Sequence, residues 1–270
     1  MHIRLENKTA VVTGSTAGIG YAIAKGLAAA GAGVVINGRS QARVDQAIKK
    51  LEGELKELDR GDSGSIRGVA ADLATVDGFK HFVAEAPQAD ILINNLGIFE
   101  PKPYFEIPDE DWERFFQTNV MSAIRMSRHY TPGMVDRGWG RVQFISSESA
   151  IAIPTEMIHY GMTKTALLSI SRGLAATVAA TGVTVNAILP GPTASEGVSQ
   201  FVDDLARDGN KTREQVETEF FEQVRPTSLI QRFETVDEIA NMCVFVASEQ
   251  ASAITGAALR VDGGTVNAIF

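Results

Sequence analysis

Residues 9–20 read Thr9-Ala10-Val11-Val12-Thr13-Gly14-Ser15-Thr16-Ala17-Gly18-Ile19-Gly20, and an apolar helical stretch, Tyr21–Ala30, follows at once. The first five residues are β-branched or apolar on successive positions. That is the pattern of a strand covered by helices on both faces, since a half-exposed strand would alternate. The glycines permit a tight turn and let backbone N–H groups approach a pyrophosphate, whose charge the positive end of the next helix stabilises. The spacing is G-x-x-x-G-x-G and not the common G-x-G-x-x-G, so the strand before and the helix after carry the dinucleotide-binding reading.

The same alternation continues along the chain. Thr9–Thr13, Val34–Asn37, Ile66–Ala70, Ile91–Asn94, Arg141–Ser146, Thr184–Leu189 and Leu259–Val261 read as strands. Between them Tyr21–Ala30, Gln41–Leu58, Asp111–Tyr130, Tyr160–Ala180 and Val236–Ala247 read as helices. Asp109 ahead of Trp112 reads as a helix start, and Thr235-Val236-Asp237-Glu238 matches a capping box. Strands alternating with helices through right-handed crossovers give one doubly wound α/β domain with a parallel sheet, expected to span residues 1–270.

The second strand ends Asn37-Gly38-Arg39-Ser40. A site preferring NAD usually places an acid there for the ribose hydroxyls. Gly38 offers none, whereas Arg39 can make a bidentate contact to a 2′-phosphate, so the reading leans to NADP(H) over NAD(H). Gly33–Ser40 also approximates a phosphate-binding P-loop, but Val34-Val35-Ile36 are the strand itself and Arg39 stands where a lysine is needed.

The composition sets limits on function. The 270 residues are 44% hydrophobic, which excludes a disordered chain. A net charge of −8 argues against a nucleic-acid partner, which requires clustered positive charge. Cys243 is the single cysteine, and His2, His81, His129 and His159 form no H-x-x-x-H pair, so no metal site is expected. The uncharged run Gly173–Ser195 contains Gly182, Asn186, Pro190, Gly191 and Pro192 and reads as helix, turn and buried strand, not a membrane span. The charged N-terminus is not a signal peptide, and a soluble cytoplasmic protein is expected.

Thr13–Gly20, Asn94-Asn95-Leu96-Gly97, Ser147, Tyr160-x-x-x-Lys164, Pro190-Gly191, Thr255-Gly256 and Val261-Asp262-Gly263-Gly264 occur in the order of a short-chain dehydrogenase/reductase. The chain resembles that family from about Lys8 to Gly264. One departure is Leu96, where the family usually has alanine; it narrows the floor beside the cofactor. The resemblance implies a Rossmann fold with a seven-stranded sheet and a nicotinamide cofactor. By position, Gly14, Ser15, Thr16, Gly18, Ile19 and Gly20 would hold the pyrophosphate. Asp72 and Leu73 would flank the adenine, Asn95 would line the adenosine ribose side, and Gly97 would belong to the cofactor site. Pro190, Gly191 and Thr193 would sit by the nicotinamide.

Tyr160 and Lys164, four apart, share one helix face. Ser147 lies 13 residues before Tyr160, at the end of a predicted strand, where open α/β sheets bind ligands. Carbonyl reduction needs a hydride on carbon, supplied by the cofactor, and a proton on oxygen. Tyr160 would supply that proton, and Lys164 beside it would lower the phenol's pKa from its ordinary value near 10. Ser147 would orient the substrate oxygen. The family implies a fourth catalytic residue at Asn119, anchoring a water that links Lys164 to solvent.

The polar stretch Ser195–Thr227 corresponds to the family's mobile substrate lid, expected at about 193–228. Reduction of a 3-oxoacyl group on acyl carrier protein would need arginine or lysine at the mouth. Gly173–Ser195 has no charge, and Glu148, Glu156 and Glu196 cluster nearby in sequence. A small-molecule alcohol/ketone oxidoreductase is therefore the first expectation, with the carrier-protein reductase second. A non-catalytic dinucleotide-sensing scaffold is the reading from another class. Apolar residues around much of Asp111–Tyr130 and Tyr160–Ala180, and the family's habit, point to a homo-oligomer, a tetramer or dimer.

Overall fold

Strand β1 (Thr9–Val12) lies inside a seven-stranded sheet and pairs in parallel with both β2 (Gly33–Gly38) and β4 (Ile91–Asn94). The computed structural model describes residues 2–57, 63–209 and 211–269. Beyond β2 lies β3 (Ile66–Ala70); beyond β4 follow β5 (Gly140–Ile145), β6 (Val183–Pro190) and β7 (Ala258–Val261), every pairing parallel. The order β3-β2-β1-β4-β5-β6-β7 reverses direction between β1 and β4. At such a switch point the crossover connections diverge to opposite sides and leave a crevice at the strands' carboxyl ends.

Alternate strand residues feed two cores. Ala10, Val12, Val34, Ile36, Ile91 and Ile93 pack with α1 (Gly18–Ala29), α2 (Gln41–Glu57) and α9 (Val236–Val246). Val11, Val35, Leu92, Val142 and Phe144 pack on the other face with Phe82 of α3 (Val76–Glu85), Met126 of α5 (Ser122–Asp136) and Leu167 of α6 (Ile158–Thr177). Covering both faces is why these strands read as unbroken apolar runs. The remaining helices are α4 (Asp109–Phe115), α7 (Glu196–Asp208) and α8 (Arg213–Glu219). Among the described residues no helix is long and apolar enough to cross a membrane.

Several expected elements shift. The stretch expected as one helix from Asp111 to Tyr130 starts at Asp109, widens into a π-turn over Phe116–Met121 and runs on to Asp136 through Pro132. Asp109 is not the cap: Pro108 holds that position with extended backbone, and Asp109, Glu110 and Asp111 line the first turn, where the helix dipole favours acids. The helix expected from Tyr160 to Ala180 ends at Thr177, because Ala180 and Gly182 take positive φ values of 61° and 81°. Leu58, expected to end α2, lies outside the described residues, as does Asn210 within the stretch expected as a lid. The capping box at Thr235 and Glu238 forms as read.

Candidate active site

The carboxyl ends of β1, β2 and β4 build a turn braced from three sides. Gly14 N–H donates to Asn37 Oδ1 at 3.2 Å and Ser15 N–H to Asn37 O at 2.9 Å, while Asn37 N–H donates to Ser15 Oγ at 2.9 Å. Ser15 Oγ–H goes to Val12 O at 2.6 Å, so this hydroxyl braces the turn and is not presented to a ligand. Asn95 is likewise committed: its Nδ2 donates to the carbonyls of Thr13 (3.0 Å) and Gly14 (2.9 Å), not to a ribose. Gly20 is obligatory at this crossing, because a Cβ there would stand 2.4 Å from Asn95 Nδ2 and 2.6 Å from Gly14 O.

The turn opens directly into α1. Its capping residue is Ala17, whose side chain carries no acceptor, so the N–H groups of the first turn are left for an anion. Gly14 and Gly18 have φ values of +59° and +58°, which ordinary side chains avoid. Thr16 and Ile19 lie half-buried beside them. This donor set suits the pyrophosphate of a dinucleotide.

At the end of β2, a Cβ on Gly38 would meet Thr16 Cγ2 at 2.5 Å, so an acid cannot stand there without moving the glycine turn. Arg39 is exposed next to it. Asp72 is exposed and its Oδ1 accepts from Ala74 N–H at 3.1 Å; Leu73 turns its side chain into the core. Pro190 ends β6. Gly191 N–H donates to Val261 O at 2.9 Å, and Thr193 bridges in parallel to Glu234 while its hydroxyl donates to Gly191 O at 2.9 Å.

Ser147 follows β5 at 5% exposure, and α6 brings Tyr160 and Lys164 against it. Lys164 Nζ donates to Ile145 O at 2.9 Å and lies 5.5 Å from the centre of the Tyr160 ring. Asn119 sits in the π-turn, a helical irregularity common at functional sites. Its Oδ1 accepts from Ile98 N–H at 2.8 Å, and its Nδ2 donates to Ile98 O and Thr163 Oγ1, both at 3.0 Å. Gly97 keeps the space between them open: a Cβ there would lie 3.3 Å from Lys164 Nζ and 3.6 Å from Asn119 Oδ1.

Burial dominates the protonation of both Tyr160 and Lys164. Burial and the nearby Glu148 carboxylate push the Tyr160 phenol above its ordinary value, while the Ser147 hydrogen bond and Arg225 act against them. The Lys164 ammonium donates to the Ile145 carbonyl and lies 5.5 Å from the centre of the phenol ring. Burial brings Lys164 itself down to about 8, with Glu148 opposing the fall.

Glu148, 4% exposed, accepts from the Ser147 hydroxyl, from Ser149 Oγ at 3.1 Å and from Arg225 Nε at 3.3 Å. Arg225 also reaches Glu156 at 3.3 Å. The expectation of a mouth without arginine is thus corrected: Arg225 arrives from 77 residues away, and two carboxylates already share its charge. Nearby, Glu234 is 3% exposed and neither carboxyl oxygen has a hydrogen-bond partner among the described residues. Its Oε1 lies 2.6 Å from where a Cβ on Gly191 would stand, and burial, with Glu148 and Asp262 adding to it, pushes the acid up to about 8.

The family profile described as Enoyl-(Acyl carrier protein) reductase matches residues 14–266. An uncharacterized oxidoreductase of Bacillus subtilis, YvaG, is 47% identical, with all of both chains covered. The D-beta-hydroxybutyrate dehydrogenase of Rhizobium meliloti is 34% identical over 95% of this chain and 98% of its own. L-sorbose reductase from Gluconobacter frateurii, solved in complex with NADPH and L-sorbose, superposes with a TM-score of 0.91 at 32% identity, with 100% of both chains covered. The chain belongs to the short-chain dehydrogenase/reductase family. It is an oxidoreductase.

In this short-chain dehydrogenase/reductase, sequence reasoning placed Glu148 near the mouth without a role in the site and passed over Arg225 and Glu234. For Glu148 a signal existed: an acid directly after the serine, at the end of an apolar strand, is costly to bury without a partner. Arg225 had none, because a lone arginine in a polar stretch reads as solvated. Among the described residues no cluster of histidine, cysteine and acids could hold a metal.

Proposed function

We propose that the protein interconverts a secondary alcohol and a ketone on a small molecule, with NADP(H) as the hydride partner. The observation that carries this is the meeting of Ser147, Tyr160 and Lys164 beside the crevice at the sheet's carboxyl edge. The bound nicotinamide supplies or accepts the hydride. Tyr160 gives the substrate oxygen its proton in reduction and takes it back in oxidation. Ser147 orients that oxygen, Lys164 stabilises the phenolate as the proton leaves, and Asn119 holds the loop at Ile98 against α6 for the proton path. Gly14, Ser15, Thr16, Gly18, Ile19 and Gly20 would form the pyrophosphate turn, and Arg39 would take the 2′-phosphate. Asp72, Leu73 and Asn95 would border the adenosine half; Gly97, beside Lys164, would border the nicotinamide half with Pro190, Gly191 and Thr193. Residues 193–228 would act as the lid.

The substrate we infer is small, hydroxylated and uncharged. The relatives divide by charge: hydroxybutyrate is an acid and sorbose a neutral ketose. The cation at this mouth is shared by Glu148 and Glu156, which leaves the neighbourhood acidic and suited to accept hydrogen bonds from hydroxyls. The same acidity disfavours acyl carrier protein, an acidic partner. Tyr160→Phe tests the assignment: NADPH affinity stays near the native value, and turnover of a ketose panel, followed by loss of the reduced nicotinamide's absorbance, falls at least roughly a hundredfold. Native turnover in that variant refutes the reading.

A further inference from the structure

Glu234 joins the two turns that follow β6 and β7. Its N–H donates to Pro192 O at 2.9 Å and its carbonyl accepts from Ala194 N–H at 2.8 Å, so the backbone clamps it to the stretch after β6. Its carboxyl turns back to the start of that stretch. A Cβ on Gly191 would stand 2.6 Å from Oε1, and one on Gly263, after β7, 2.9 Å from it. Two glycines thus leave the room that this side chain takes up. Buried carboxyl groups ordinarily have a hydrogen bond or a cation. Glu234 is 3% exposed, and among the described residues neither oxygen has a hydrogen-bond partner.

The charges around it are mostly of its own sign. Burial keeps the acid protonated up to about 8; its own backbone N–H opposes that rise, while Glu148 after β5, Asp262 after β7 and Glu238 of α9 add to it. Glu217 accepts from the neighbouring Phe233 N–H at 3.1 Å. The arginines of this region are committed elsewhere. Arg232 is held by Glu238 at 2.7 and 3.0 Å, and Arg225 by Glu148 and Glu156. Near neutral pH Glu234 is therefore an uncharged acid surrounded by negative charge. A positive charge brought close to it favours the carboxylate and ionises it.

The two forms of a nicotinamide cofactor differ by such a charge: the oxidised ring is a cation and the reduced ring is neutral. Gly191, against which Glu234 Oε1 lies, borders that ring in the function proposed above. We propose that Glu234 is the counter-charge of the oxidised nicotinamide, releasing its proton when NADP⁺ binds and keeping it when NADPH binds. The acid's O–H bond breaks, the electron pair stays on the carboxylate and the proton passes to the buffer. The coupling is reciprocal, so an ionised Glu234 favours the oxidised cofactor over the reduced one. NADP⁺ affinity accordingly rises with pH up to about 8 and levels off above it. This inference rests on the dinucleotide reading of the site. A protein that binds neither cofactor overturns both, whereas tight binding of both without the proton signal overturns this inference alone.

Infrared difference spectra of the native protein near neutral pH read the acid directly. NADP⁺ removes the carbonyl stretch of a protonated, buried carboxyl and NADPH leaves it, while Glu234→Gln has no such band to lose. Calorimetric titration in buffers of different ionisation enthalpy counts the protons. Native protein releases roughly half a proton or more per NADP⁺ beyond the count for NADPH. Lys164 can add to the total, so the reading is the difference between native protein and Glu234→Gln, which loses that half proton. The same variant binds NADP⁺ roughly tenfold or more weakly and keeps NADPH within about twofold of native. NAD⁺ and NADH repeat the contrast, because the charge is on the ring and not on the 2′-phosphate. A carboxyl band unmoved by NADP⁺, or equal losses of both cofactor forms in Glu234→Gln, overturns the proposal.

Discussion

Arg39 stands exposed beside Gly38, where Thr16 leaves no room for an acid. A guanidinium contacts a 2′-phosphate bidentately and has no equivalent contact with a bare ribose. Arg39→Ala is therefore expected to weaken NADPH at least tenfold while NADH changes little, as read by fluorescence titration of the two cofactors. Equal losses for both would remove the phosphate assignment. Glu234 makes the other prediction at this scale. Its acid is held up near 8 in the folded chain against an ordinary 4.5, so the folded state binds the proton more tightly than the unfolded one. Stability from this group is present below about 4.5 and is lost as pH climbs toward 8. Glu234→Gln, neutral at every pH, should match the native melting temperature near the acid end of that window and exceed it above the window. The gain there is on the order of 3–5 kcal/mol. A constant difference across the range would mean the side chain acts through packing alone.

Among the elements, the turn from β1 into α1 is held by interlocking hydrogen bonds and not by its own propensities. Asn37 from β2 and Asn95 after β4 both spend their amides on it, so three strands must be in register before the glycine turn takes shape. Gly20→Ala puts a methyl within 2.6 Å of Gly14 O, which neither backbone nor Asn95 can clear without moving. The expected outcome is a loss of about 1–3 kcal/mol in denaturant unfolding, accompanied by weaker dinucleotide binding. Full stability in that variant would show the turn to be more pliable than these contacts imply. The π-turn at Asn119 matters at the same scale: the widened helix brings its amide to Ile98 and Thr163 and so ties the loop after β4 to α6.

For the whole molecule, the two-faced core leaves a surface on which several large apolar side chains still face outward. Phe105 is 97% exposed, Leu229 83% and Ile269 87%, amounts more in keeping with a subunit that associates than with a lone monomer. We infer a homo-oligomer closed by two-fold axes, as the family resemblance suggests. Light scattering on the purified protein should give a multiple of 28.9 kDa; a monomer mass at micromolar concentration would refute it.

Much of this architecture was legible in the residues. Successive apolar positions in β1, β2, β4 and β5 announce burial on both faces, a local pattern set by backbone geometry, and the glycine turn with Tyr160 and Lys164 carried the resemblance to the family. The sequence also carried Ser147, since its distance from Tyr160 matched a strand end. What only the tertiary structure decided is how charge is distributed around them. Ser15 and Asn95 turned out to brace the turn, Lys164 faces a carbonyl, and Glu148 gains a cation from Arg225, 77 residues on. Hydrogen bonds and ion pairs of this kind depend on which side chains meet in a space of low dielectric, and sequence separation holds no record of those meetings.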